Sequence, residues 1–147
     1  MFLFEIVGDP IPQKQTRFTC IKGFPHTYDP SKKDKEHIQW QIRPLAPKEP
    51  LTGPIELSIT FFLRIPKAVS SKVRLGMINR VILPIIRPDE DNLAYLVTNA
   101  LKKIVYEDDK QICAKHVYKY YSDVPRTIIR VRAIQQITEI GIHEGNI

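Results

Sequence analysis

Cysteine is scarce in this sequence, and its scarcity argues against two classes of small protein. Only two of the 147 residues are cysteines, and neither Cys20 nor Cys113 belongs to a CxxC motif or a Cys/His cluster. A scaffold stapled by disulfides and a structural zinc site are therefore both disfavoured. We expect both cysteines to be reduced thiols in the protein interior.

Long hydrophobic runs, internal repeats and flexible linkers are also missing from the sequence. No apolar run approaches the roughly 20 residues that cross a bilayer, so no membrane segment is expected. The first ten residues, MFLFEIVGDP, lack the basic leader of a signal peptide and are interpreted as the start of a first strand. The length predicts one domain, which we place over residues 1–138, followed by a C-terminal tail over residues 139–147. Two reduced thiols are typical of a cytoplasmic protein.

Acidic residues are scarce everywhere except in one short window. Six of the 16 Asp and Glu lie between Asp89 and Asp109, whereas the rest of the chain has 20 Lys and Arg against ten acids. The net charge is +6, which favours an anionic partner. Clustered carboxylates in a basic protein are typical of a site that holds a divalent cation beside a polyanion. The charge pattern therefore points towards a metal-dependent nuclease.

Hydrophobic periodicity predicts a single domain of the α/β (α+β) class, in which helices flank a mixed β-sheet. We predict strands over residues 2–7, 55–63, 111–121 and 127–136, a hairpin of 17–22 with 26–28, and helices over 31–43, 69–80 and 91–104. Ser31 is the expected N-cap of the first helix, and Trp40 is expected in the core. Only the short segment SDVPR joins the last two strands, so we interpret them as a hairpin.

The helix over residues 91–104 is the clearest element, and acidic residues stand at its start. Apolar residues recur on one side at helical spacing, while Asp91, Tyr95 and Asn99 line the other side. Asp89 and Asp91 can converge on one metal ion if the backbone before the helix is extended. In the alternative interpretation, Asp91 is an N-cap and Asp89 is a favourable negative charge at the helix start.

A second acidic group, consisting of Glu107, Asp108 and Asp109, follows the end of the same helix. A helix of about 14 residues is about 21 Å long, so the chain must turn back for the two groups to meet. A strand that starts at Lys110 and runs beside the helix start would bring Asp108 or Asp109 to the first group. The alternative is a solvated turn, and the sequence leaves both interpretations open.

Several separated motifs resemble those of a known family. The segment PDEDNLAYLVTNAL, followed by YEDDKQI, resembles the RusA family of Holliday-junction resolvases, whose signature runs PDxDNxxKxxxDAL and then DDxQ. The opening GDPIPQKQTR is similar to that family's GxPxPKxRPR, and TYDP before a lysine-rich helix also fits. The resemblance spans residues 4 to about 136.

The resemblance implies a small, homodimeric, Mg²⁺-dependent endonuclease of bacterial or phage origin. Such an enzyme cuts four-way DNA junctions by paired nicks in recombination and repair, and Mn²⁺ is the alternative ion. The family's catalytic, metal-binding aspartates fall on Asp89, Asp91 and Asp109, with Asn92 and Gln111 at two further motif positions. The implied chemistry is attack of metal-activated water on a phosphodiester.

Two positions on the polar side of the predicted helix depart from the family pattern. Tyr95 replaces the family's lysine, and Asn99 replaces its aspartate four residues later. A tyrosine can donate a hydrogen bond to a phosphate but adds no positive charge. We interpret Tyr95 as an accessory residue of the site, together with Asn92 and Asp108. The residues expected to contact DNA are Lys14, Arg17, Arg87 and Lys110. The alternative function is a catalytically weak or inactive protein that binds DNA junctions.

The remaining basic and aromatic residues have ordinary structural interpretations. Lys35 is interpreted as a solvated residue of the first helix, and Arg130 and Arg132 as strand residues that face water. Tyr118 and Tyr120 either stack on nucleic-acid bases or pack within a strand. A basic RNA-binding or assembly protein, whose acids serve as caps and turns, is the third functional alternative.

Overall fold

The computed structural model describes residues 1–136, so the predicted tail over 139–147 lies outside the described part of the chain. Within that range, a four-stranded mixed sheet, a two-stranded hairpin and three helices confirm the predicted α+β fold. The strands are β1 (Phe2–Val7), β2 (Arg17–Ile21), β3 (Phe24–Tyr28), β4 (Ile55–Arg64), β5 (Ile112–Ser122) and β6 (Arg126–Ala133). The helices are α1 (Lys32–Ile42), α2 (Ser71–Ile78) and α3 (Glu90–Leu101). No helix in residues 1–136 has the length and apolar character needed to cross a membrane.

The sheet has the strand order β1-β6-β4-β5, and β4 lies between the last two strands of the chain. β4 pairs in parallel with β5 and antiparallel with β6, so the predicted hairpin of β5 with β6 is wrong. The link over residues 123–125 is short, but it has to cross only two strand spacings, a total distance of about 9.6 Å. β4 takes the central position because its alternate apolar residues are buried along the whole strand.

One face of the sheet packs against α1 and α3 and forms the core. Ile55, Leu57 and Ile59 of β4 are completely buried in one cluster with Leu93 and Leu96 of α3. Parallel pairing of β4 with β5 needs a long crossover connection, and α3 lies within that crossover. On the opposite face, the alternate residues of β4 and β6 are partly or fully exposed except Phe62, which is buried. The sheet is therefore covered by helices on one face and open on the other.

Three buried positions expected from the sequence are exposed in the structure. Trp40 is 76% exposed because α1 buries the stripe formed by Ile38 and Ile42, and Trp40 lies on the other side of the helix. Cys20 and Cys113 are both free and exposed, because Cys20 belongs to the exposed β2–β3 hairpin and Cys113 belongs to the edge strand β5. The expectations of a core tryptophan and of buried thiols are therefore wrong.

Candidate functional site

Two carboxylates stand at the start of α3, where the backbone enters the helix in an extended conformation. Asp89 occupies the N-cap position, but its side chain makes no capping hydrogen bond. Asp91 accepts a hydrogen bond from the backbone N–H of Asn92 at 2.9 Å, and both aspartates are exposed. Asp91 is therefore a first-turn residue and not the N-cap of the alternative interpretation. The Asp89 carboxylate is not used in capping α3 and is accessible to a ligand.

Two backbone amides of the N-terminal loop, residues 8–16, hold it in place, one against the start of α3 and the other against the start of α1. The amide of Gln13 donates to the carbonyl of Asn92 at 3.0 Å, and the amide of Lys14 donates to Oγ of Ser31 at 2.8 Å. Ser31 is fully buried, and its side chain makes no capping bond to α1. Ser31 therefore occupies the predicted N-cap position of α1, but its hydroxyl binds the loop that carries Lys14 instead of the first turn of the helix.

The loop and the helix enclose a groove, which we call the α3 groove. It consists of two adjoining pockets of about 420 and 350 Å³ that share Gln13 and Asn92. The first pocket is also lined by Arg87 and Asp89, and the second by Lys14, Lys35, Tyr95 and Asn99 among others. The groove therefore brings together Asp89, two of the cations predicted to contact DNA and both positions that depart from the family pattern.

Two lysines supply positive charge to the groove beside Tyr95. Lys14 lies 3.4 Å from a carboxylate oxygen of Asp34, and its side chain is more than half exposed. The ammonium group of Lys35 donates to Asp29, and this hydrogen bond, followed by one from the Ser31 amide, lowers the pKa of the Asp29 carboxyl. Lys35 was interpreted as a solvated helix residue, and only the fold reveals that it lines the groove.

Strand β5 does turn back towards the start of α3, but it brings a lysine there and not an acid. Nζ of Lys119 donates to the backbone carbonyls of Ile86 and Pro88, at 2.7 and 2.8 Å. These carbonyls belong to the segment that leads directly into Asp89. Lys119 therefore tethers the backbone that positions Asp89. No residue pattern could have predicted this role of Lys119, because the bonding partners are main-chain atoms.

Asp109 lies at the opposite end of α3. Its carboxylate is 3.5 Å from Nζ of Lys102, the residue that follows the last residue of α3. Twelve helical residues, about 18 Å of axis, separate that end from the residue after Asp89. Within residues 1–136, no group of three Asp, Glu, His or Cys side chains is close enough to hold a metal ion. One copy of the chain therefore does not bring Asp109 to the first acidic group.

The other members of the second acidic motif have structural partners. Asp108 caps a 3₁₀ turn over residues 109–111, and the backbone N–H of Lys110 lowers the pKa of its carboxyl. Gln111 accepts from the Asp108 amide and donates to the carbonyls of Leu51 and Gly53. The motif thereby ties the start of β5 to the loop before β4.

The remaining predicted DNA contacts lie outside the α3 groove. Arg17 is an exposed residue of β2, and Lys110 is an exposed residue of the turn before β5. Neither residue lines the two pockets of the groove. Their contact with DNA stays a prediction from the sequence.

Two comparisons with known proteins cover nearly the whole described chain. The family described as Endodeoxyribonuclease RusA matches residues 8–132, a range that includes the N-terminal loop, α3, β5 and every named residue of the α3 groove. The chain is also similar to "Uncharacterized protein YqaN" from Bacillus subtilis (strain 168). The two sequences are 30% identical over 135 residues, which cover 89% of this chain and 95% of the relative.

Proposed function

Since this chain belongs to the RusA family of endodeoxyribonucleases, we propose that it is a Mg²⁺-dependent nuclease that resolves four-way DNA junctions by paired nicks in recombination and repair. The observation that carries the proposal is the α3 groove. It combines Asp89, whose carboxylate is not used in capping, with Lys14, Lys35 and Arg87. Carboxylates for a cation and cations for a phosphate are the two requirements of metal-assisted phosphodiester hydrolysis.

The donor set at the start of α3 fits Mg²⁺. This ion is usually bound by one or two carboxylates together with water and substrate phosphate, so Asp89 and Asp91 suit it as the ligands that one chain contributes. Gln13 lines the same pocket as Asp89, and its Oε1 is buried without a hydrogen-bond partner among residues 1–136. When bound, Mg²⁺ would polarise a phosphate oxygen and lower the pKa of a water ligand. Mn²⁺ prefers similar oxygen ligands and is the second candidate.

The basic residues of the groove have the task of holding the DNA backbone in place. Lys14 and Lys35 line the same pocket as Tyr95, and their ammonium groups, which pair with Asp34 and Asp29 in the free protein, can turn to a phosphate in place of the family's lysine. The Tyr95 side chain is exposed, and its hydroxyl can donate a hydrogen bond to a phosphate oxygen. Departure from the family pattern at Tyr95 is therefore compatible with phosphate binding and catalysis.

A homodimer is part of the proposal, because it offers a source for a third carboxylate. Asp109 lies at the end of α3 and Asp89 at its start, so the two cannot meet within one helix. If an element packs against its own copy across a two-fold axis and the two copies run antiparallel, the start of one copy lies beside the end of the other. We therefore assign Asp109 to the metal site of the partner subunit. Two such sites also match the two-fold symmetry of a four-way junction.

The proposed activity is tested with an end-labelled four-way junction and a linear duplex of the same sequence. In Mg²⁺ we expect symmetric nicks in the junction and no cleavage of the duplex, and a chelator should abolish the nicks. Tyr95 and Asn99 favour a second candidate, a protein that binds junctions without cutting them. Tight binding without nicks in either Mg²⁺ or Mn²⁺ would favour that candidate. If the wild type then fails to nick and the Tyr95→Lys variant nicks, the loss of catalysis is due to Tyr95.

Lys119→Met tests the positioning of Asp89. Losing both bonds to the 86–88 backbone should lower the nicking rate about tenfold, since small displacements of a catalytic group are costly. The Mg²⁺ concentration needed for half-maximal rate should rise, which a loss of stability alone would not cause. Lys115→Met is the matched control, because Lys115 lies on the same strand and the same sheet face. Equal metal dependence in the two variants would contradict the positioning role.

A further inference from the structure

The face of the sheet that helices do not cover has an aromatic strip on its edge strand. Tyr118 and Tyr120 of β5 lie on this open sheet face beside Thr60 and Phe62 of β4. The rings of the two tyrosines are stacked, with centroids 6.1 Å apart and planes inclined by only 7°. Tyr118 is 45% exposed, so one side of the stack is accessible. An exposed, flat aromatic surface of this kind can accept a further planar ring.

Arginines surround the strip. The guanidinium group of Arg80 lies 4.2 Å from the ring centre of Tyr120, and that of Arg126 lies 4.0 Å from the ring centre of Phe62. Arg130 is exposed on β6, which lies on the other side of β4 from the strip. The surface is therefore both aromatic and positively charged.

The charge balance of this face stays positive after ion pairs are considered. Glu56 is paired with Arg132 and with His116, and the hydrogen bond from Arg132 is the main cause of the lowered pKa of the Glu56 carboxyl. Arg80 and Arg130 remain next to the aromatic strip, at the two sides of a shallow pocket of about 360 Å³. A second pocket of about 300 Å³ adjoins it and shares Ser58, Tyr118 and Arg130. The two pockets form one continuous shallow groove across the sheet.

We propose that this open sheet face binds single-stranded DNA, with bases stacked on Tyr118 and phosphates held by Arg80 and Arg130. Every base has a face that can stack on an aromatic ring, and arginine contributes both charge and cation–π contacts. Unpaired nucleotides fit the surface better than a duplex, because the stacking faces of bases are hidden inside a double helix. The proposal rests on the proposed function only in taking DNA as the nucleic acid.

The position of this face relative to the α3 groove supports the choice of DNA. Arg80 contacts Tyr120 on the open face, and nine residues later the chain reaches Asp89 at the groove. On the way, the carbonyls of Ile86 and Pro88 accept from Lys119, which is on the helix-covered face of the same strand β5. The segment therefore passes around the edge strand. A DNA strand that is separated from its complement near the α3 groove would reach the open sheet face by the same path around β5.

Binding of a labelled oligothymidine to Tyr118→Ala, measured by fluorescence anisotropy, tests the proposal. We expect affinity to fall about tenfold, the usual loss when one base–aromatic stack is removed, and Tyr118→Phe should retain it. Arg130→Gln should reduce the slope of log affinity against log salt by about 0.7, corresponding to one phosphate contact with a single strand. Trp40→Ala is the matched control, since Trp40 is an exposed aromatic residue on α1.

Three outcomes would overturn the proposal. Affinity of Tyr118→Ala within about twofold of the wild type, as expected for Trp40→Ala, would show that no base stacks there. Dissociation of a dimer by Tyr118→Ala in sedimentation would show that a second copy of the chain occupies the face. Tighter binding of the wild type to an RNA oligomer than to oligothymidine would show that RNA is the ligand. Junction nicking by the wild type is scored separately, so failure of the proposed function is distinguished from failure of this inference.

Discussion

Replacing Asp89 or Asp91 by asparagine is expected to lower the rate of junction nicking by at least about a hundredfold, with little change in junction affinity. Both changes remove one negative charge from the proposed ligands of Mg²⁺ while preserving side-chain shape. Fold is expected to be retained, because both side chains are exposed and Asp89 makes no capping bond. Asparagine at position 91 can still accept the bond from the Asn92 amide through its side-chain oxygen.

Glu90→Gln is the matched control for this experiment. Glu90 lies between the two aspartates, is exposed in the same first turn of α3, and loses the same charge on substitution. If the aspartates act only through their charge at the helix start, all three variants should nick equally well. If they hold the metal ion, Glu90→Gln should nick at nearly the wild-type rate. Single-turnover rates across a Mg²⁺ titration, with junction binding measured in parallel, separate the two cases.

Mixing two inactive variants is expected to restore nicking. If Asp109 serves the site of the partner subunit, a mixed dimer of Asp89→Asn and Asp109→Asn subunits has one site with both defects and one site with none. After subunits exchange at equal concentration, nicking should reach about one quarter of the wild-type site activity, whereas each variant alone stays inactive. The measurement is the rate of single nicks in an end-labelled junction, because mixed dimers have only one active site.

The same mixing experiment has a clear contradictory result. If each subunit builds its site from its own Asp89 and Asp109, every site in the mixed dimer carries one defect and no activity returns. The control is a mixture of Asp89→Asn and Asp91→Asn subunits. Both aspartates of a site come from the same subunit, so every site in this mixed dimer has one defect. Recovery in the control would show that the two aspartates are not both needed in one subunit.

Periodic elements of this chain could be predicted from the sequence because local residues determine them. The alternation along β4 and the helical spacing along α3 both reflect burial of a single face, and the structure confirms both elements within a few residues. The motif that predicts Asp89 and Asp91 as metal ligands also lies where the sequence places it, at the start of α3. These features depend on neighbours in the chain and not on its path in space.

The features that the sequence did not reveal depend on pairing between distant segments. The short SDVPR link suggested a hairpin, although β4 lies between the two strands it joins. Ser31 is at its predicted N-cap position, but its hydroxyl accepts a hydrogen bond from an amide 17 residues earlier. Lys119 binds two backbone carbonyls, which leave no mark in a residue pattern. Asp109 matches a position of the family motif, but it precedes β5 and therefore lies beside Lys102 at the end of α3.

Paired nicking of a supercoiled plasmid that extrudes a cruciform tests the central claim most directly. A dimer with the two proposed Mg²⁺ sites at the starts of its α3 helices would cut both strands of the extruded junction within one encounter. The account predicts that supercoiled plasmid is converted directly to linear DNA, and that Asp91→Asn yields neither linear nor nicked product. Nicked circles alone from the wild type, or linear DNA from Asp91→Asn, would contradict it.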